Sequence, residues 1–178
     1  VNDNAEATGE EVAAAIAALA AATKTYKETP VNVPAADKQY TLTLYAPDGT
    51  ELFPLSIVKG KISIEEVGTP ITFVAKEGGK YALSNGTEEI YYSGSNNWDL
   101  DATTEGGYAW SISILNNGKY HIEGKLAGRY LGTNNNEKAA GSKCYGDKKS
   151  DANVQWAISE YVAPAPTYAI AIAEGIEN

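Results

Sequence analysis

Between Tyr91 and Asp101 the chain reads Tyr91-Tyr92-Ser93-Gly94-Ser95-Asn96-Asn97-Trp98-Asp99-Leu100-Asp101. An aromatic ring offers a flat apolar face on which sugar C–H groups can stack. Planar amides and carboxylates supply the donors and acceptors that hydroxyl groups need. Tyr92, Asn96, Asn97, Trp98, Asp99 and Asp101 are therefore the candidate ligand-binding residues, and a glycan is the ligand they suit. A structural reading competes with this one. Trp98 and Leu100 alternate as strand residues do, which would make Trp98 core and the two Asn a turn. Asp99, Asp101 and Glu105 offer oxygens of the kind hard cations want, but their spacing is not that of an EF-hand. A solvated acidic loop without metal is the expectation.

Catalytic chemistry has little to build on. The sequence holds one Cys, Cys144, and one His, His121. A lone Cys makes no internal disulfide, and Cys144 reads as a small buried residue in a strand. His121 lies between Tyr120 and Ile122 in an expected strand, so it should point away from both. No Gly-x-Ser-x-Gly, His-Glu-x-x-His, phosphate-binding or dinucleotide-binding motif occurs. A pair of catalytic carboxylates has no short signature and stays open. The expectation is a module that is not an enzyme and carries no cofactor, although it could serve a larger enzyme.

The elements that must hold these residues are short strands. Tyr40, Leu42 and Leu44 alternate with Thr41 and Thr43, the period of a half-buried strand. Its opening recurs as Lys80-Tyr81-Ala82-Leu83 and Lys119-Tyr120-His121-Ile122, so the Tyr positions lie about forty residues apart. A second element follows each: Leu52-Phe53, Ile90-Tyr91 and Arg129-Tyr130. A third holds Ile62 and Ile64, then Trp98 and Leu100, then Cys144. A fourth closes each unit: Ile71-Thr72-Phe73-Val74, Tyr108-Ala109-Trp110-Ser111-Ile112 and Val154-Gln155-Trp156-Ala157-Ile158. On this alignment Phe73, Trp110 and Trp156 are equivalent core residues, with indole N–H groups bonded to backbone.

Three units of four strands cannot bury an apolar face singly and must share a core. The pattern resembles the ricin-B-like and fascin-like β-trefoil families over roughly residues 36–161. Gln155-Trp156-Ala157-Ile158 is similar to the ricin-type Gln-x-Trp motif, with a spacing one residue shorter, and the other two units have no Gln there. Gly128-Arg129-Tyr130-Leu131-Gly132 is similar to the Gly-Arg/Lys-Tyr-Leu strands of fascin-like units. The resemblance implies an all-β, three-repeat β-trefoil. Together with the polar and aromatic run over residues 91–101 and the tail after Pro166, it leads to the expectation of a carbohydrate-binding accessory module of a bacterial secreted or cell-surface multidomain protein. An adhesin or spacer domain making protein–protein contacts is the alternative function. A β-sandwich is the alternative fold.

The flanks differ from the repeats. Thr8 suits an N-cap, Glu10 and Glu11 suit a first turn, and Val12–Ala22 is an Ala-rich run with Val12, Ile16 and Leu19 on one stripe. A helix with a Pro-containing connector is expected over 1–35, packed on another surface. Pro164 and Pro166 mark a linker over 162–178, and Tyr168–Ile172 alternates like the start of a following β module. A chain that opens on Val1 fits a processed or excised piece.

Charge narrows the partners. The net charge of −9 opposes binding to phosphate backbones and anionic membranes, so no nucleic-acid partner is expected. No apolar run approaches the ~20 residues that span a bilayer. The expected partners are a glycan or glycoconjugate and other domains of the same protein, in an extracellular setting.

Overall fold

The computed structural model describes residues 12–19, 34–35 and 37–163. Two compact units partition the chain, Val1–Pro34 and Ala35–Asn178. In the first, residues 12–19 are helical, as the Ala-rich run predicts, and Val12, Ile16 and Leu19 are exposed. The Thr8 cap and the strand expected at Tyr168–Ile172 lie outside the described residues.

In the second unit the described residues are all-β apart from one short helical turn, Glu77–Gly79. The first repeat supplies β1 (Gln39–Tyr45), β2 (Glu51–Val58), β3 (Lys61–Ile64) and β4 (Ile71–Lys76). The second supplies β5 (Lys80–Ser84), β6 (Glu89–Tyr92), β7 (Leu100–Thr103) and β8 (Ser111–Ile114). The third supplies β9 (Tyr120–Glu123), β10 (Tyr130–Gly132), β11 (Tyr145–Lys148) and β12 (Gln155–Glu160). The twelve strands belong to one antiparallel sheet. Two boundaries differ from expectation. Strand β7 starts at Leu100 and leaves Trp98 in the preceding loop, and Cys144 immediately precedes β11.

The register follows the repeat. Within each unit the first strand pairs with the fourth: Tyr40 lies opposite Ile71, Tyr81 opposite Trp110, and Tyr120 opposite Trp156. Tyr81 and Trp110 exchange two backbone hydrogen bonds of 2.9 and 2.8 Å, which joins β5 to the start of β8. Between units the fourth strand pairs with the next first strand: Phe73 faces Leu83, Ile112 faces Ile122, and Ile158 faces Leu42. These rungs correct one expectation. Ile71, not Phe73, is the equivalent of Trp110 and Trp156, because cross-strand partners define equivalence and spacing along one strand does not. Phe73 is core all the same, with Tyr40 and Tyr81 edge-on to its ring at 5.5 and 6.1 Å.

Turn chemistry supports this pairing. Strands β2 and β3 are joined by Lys59-Gly60, at φ 51° and 80°, with Val58 opposite Lys61. Two positive φ values in a two-residue loop match the twist of the flanking strands, and Gly takes one of them without steric cost.

The two core indoles differ in their polar ends. Both are fully buried, but Trp156 Nε1 donates to the Leu131 carbonyl at 2.9 Å whereas Trp110 Nε1 has no partner. The expected backbone bond therefore exists for Trp156 alone. Truncation to Phe removes similar volume at each position, but only Trp156→Phe strands a buried carbonyl. Chemical denaturation should show Trp156→Phe to be more destabilising than Trp110→Phe by about 1 kcal/mol or more. Equal losses would mean that the indole bond contributes nothing.

Candidate functional site

The third strands of the three units meet through backbone. Ala102 N donates to Gly60 O at 3.1 Å, Gly146 N to Trp98 O at 2.9 Å, and Ile64 N to Ser142 O at 3.0 Å. In this set of three bonds each unit gives one N–H and receives one, which makes Gly60, Trp98 and Ser142 equivalent positions; Cys144 N and Gly141 N add bonds to Ile62 O at 2.9 Å and Ile64 O at 2.7 Å. The residues two steps on, Ile62, Leu100 and Cys144, are all buried. Alternation then puts Lys61 and Ser63, Asp99 and Asp101, and Lys143 on the opposite, solvated side. They line a cleft of about 630 Å³ together with Glu65, Ser93 and Gly141.

Asp99 is the most constrained group in this cleft. Lys143 Nζ donates to its Oδ1 at 2.6 Å and Asn96 Nδ2 to its Oδ2 at 2.8 Å. Lys143 and Asn96 stabilise the anion and hold the Asp99 carboxyl below the usual carboxylate range, while Asp99 holds Lys143 above its ordinary value. Asn96 also folds the loop, its Oδ1 accepting from Asp99 N at 2.9 Å and Trp98 N at 3.3 Å. Asp101 Oδ1 accepts from Ala102 N at 2.9 Å. Asn97 is half-buried.

Trp98 and Tyr92 part company. Trp98 is 49% exposed, so its indole is not in the core, although its carbonyl belongs to the ring of backbone bonds. Tyr92 turns inward. Its ring stacks on Trp110 at 5.5 Å and meets Tyr108 edge-on at 5.0 Å. Its hydroxyl donates to Gly146 O at 2.9 Å and accepts from Lys125 N at 2.8 Å. The close approach requires Gly at both neighbours. A Cβ at Gly146 would lie 2.5 Å from the Tyr92 ring, and one at Gly124 1.9 Å from its hydroxyl. Asp99, Asp101, Asn96 and Trp98 therefore cluster at the cleft or its adjoining loop, whereas the Tyr92 hydroxyl is spent on backbone.

Lys61, Ser63, Glu65 and Lys143 were not legible as site residues, because they come from other units. The repeat does carry a signal for them. Lys61, Asp99 and Lys143 follow the equivalent positions Gly60, Trp98 and Ser142 by one residue.

The two side chains weighed for catalysis, Cys144 and His121, are both partly or wholly withdrawn from water. Cys144 is buried, and burial pushes its thiol far up, so it is a thiol and not a nucleophilic thiolate. His121 is half-buried against the Tyr130 ring, with centroids 4.1 Å apart, and burial lowers its pKa. Burial thus favours the neutral ring over the cation. The arrangement at the cleft is suited to holding a polar ligand by hydrogen bonds, with fixed carboxylates, two lysines and hydroxyls.

Burial pushes the Tyr92 hydroxyl from 10.0 up to about 12, so folding favours its protonated form. Its contribution to stability is complete below pH ~10, where the unfolded Tyr is still protonated, and is lost as pH rises through about 12. Tyr92→Phe should flatten this part of the alkaline stability profile measured by urea unfolding. At neutral pH it should cost about 1–3 kcal/mol by leaving Gly146 O and Lys125 N unpaired. A neutral substitution at pH 7 would show that the two backbone groups find other partners.

No protein-family model matches the chain, and no curated protein sequence matches it.

Proposed function

We propose that the second unit is a β-trefoil that binds carbohydrate or glycoconjugate without acting on it, as an accessory module of a bacterial secreted or cell-surface protein. The path β1, β4, β5, β8, β9, β12 and back to β1 supports the trefoil, since it gives six strands a route to close on themselves. The hairpins β2–β3, β6–β7 and β10–β11 supply the remaining strands, one pair per unit. One connected sheet also fits this fold better than a sandwich of two separate sheets.

The observation that carries the binding function is the exposure of Trp98 directly before Asp99, whose carboxylate is fixed in a cleft of mixed polar and apolar lining. A stacking face next to a pre-oriented hydrogen-bonding group is what a sugar ring needs, and fixing the group beforehand lowers the ordering cost of binding. A spacer has no use for an exposed Trp beside a cleft. Among the described residues no helix is long and apolar enough to cross a membrane.

A glycan-array screen of the protein tests the reading. Trp98→Ala should weaken retention of any glycan hit by about tenfold or more. Its melting temperature should stay within a degree or two of the parent, because the indole packs no core. Absence of binding to every glycan at high protein concentration would sink the proposal.

A further inference from the structure

We propose a second ligand site, remote in sequence from Trp98, that takes the carboxylate of an acidic sugar. It lies in the β9–β12 segment, in a pocket of about 260 Å³ lined by Arg129, Asn134, Asn135, Lys148, Lys149 and Asp151, with Asp147 and Ala152. The naming of a sugar rests on the proposed carbohydrate function. The anion-binding chemistry stands on the pocket itself.

Arg129 is the only Arg in the chain. Among the described residues it has no carboxylate within ion-pair distance, although acidic side chains outnumber basic ones 23 to 14 in the sequence. Its one side-chain bond is a long one, from Nη1 to the Asp147 carbonyl at 3.4 Å. Its backbone is held on both sides, N donating to Leu126 O at 3.0 Å and O accepting from Gly124 N at 2.9 Å. A half-buried Arg on a fixed backbone, with most of its guanidinium donors unspent, is preorganised for a planar anion.

The rest of the pocket sorts by charge. Lys148 is already engaged, 3.1 Å from Asp147 Oδ1 and donating to Asn134 Oδ1 at 3.0 Å. Lys149 has no ion-pair partner among the described residues and is exposed. Arg129 and Lys149 then face one uncommitted carboxylate, Asp151, so the pocket is locally cationic. Glu137 is the carboxylate behind the lining, its Oε2 already taken by Asn134 Nδ2 at 2.8 Å, and more distant charges of the −9 total are screened beyond roughly 8 Å at physiological salt. Arg129 and Lys149 would hold the carboxylate, while the Asn135 amide and Asp151 would meet ring hydroxyls. At this volume the pocket suits one sugar residue, since sites for drug-sized ligands start near 300 Å³.

Amide NMR titration of the full chain with a galacturonate trimer, its neutral galactose counterpart and sodium acetate tests the site. The uronate trimer should shift the amides of Arg129, Asn135 and Lys149, and the neutral trimer should not. Arg129→Gln should weaken uronate binding by about tenfold or more. Lys149→Gln should weaken it less, and added salt should reduce it. If Arg129→Gln fails to fold, the exposed Lys149→Gln variant decides, and its full affinity would overturn the site. Equal binding of uronate and neutral trimers would overturn it too, as would acetate matching the trimer. Neutral glycan bound through Trp98, with this pocket unperturbed, would end the second site and keep the first. Silence at both sites would end both.

Discussion

The second unit depends on one repeated rung. In each repeat the Tyr that opens the first strand pairs with a large apolar residue of the fourth, as Tyr40 with Ile71, Tyr81 with Trp110 and Tyr120 with Trp156. That rung brings the ends of a four-strand unit together and leaves its fourth strand free to pair with the next unit. Phe73 with Leu83, Ile112 with Ile122 and Ile158 with Leu42 are the result. Register errors are costly here, because a slip of one residue would turn Leu42, Leu83 and Ile122 out of the core. Each such side chain contributes roughly 1.5–3 kcal/mol by burial, so the three slips together would cost about as much as the whole stability of a marginal domain.

The strand order was legible because aliphatic and aromatic residues alternate at period two and recur with the repeat. The signal faded where loops do the work. Trp98 sits two residues before Leu100, as a strand partner would, yet Asn96 caps the loop with its own side chain and delays the strand to Leu100. The equivalence of Phe73 with the two Trp misled for a related reason. It compared residue types along one strand, whereas Ile71 is the residue that faces Tyr40. An Ile can stand where an indole stands elsewhere, since apolar volume can be redistributed among neighbouring side chains.

The candidate cleft was half legible. Asp99 and Asp101 belong to a conspicuous polar run, but the Lys143 that fixes Asp99 lies 44 residues away. Spatial convergence of three repeats produces such a site, and no local motif encodes it. The Tyr92 hydroxyl illustrates the converse. Its residue type suggested ligand contact, but Gly124 and Gly146 let its ring approach the backbone, where both of its hydrogen bonds are taken. Small residues in two distant segments decided the fate of a large one in a third.

The first and last strands of the unit lie side by side and antiparallel, from Tyr40 opposite Glu160 to Tyr45 opposite Gln155. Tyr161 N donates to Gln39 O at 2.8 Å, and Lys38 pairs with Glu160 at 2.7 Å, so chain entry and chain exit are neighbours. Tension applied through the two ends would load these rungs one after another, as in opening a zip, and not all together as in shear. A unit wired this way is a poor load-bearing link.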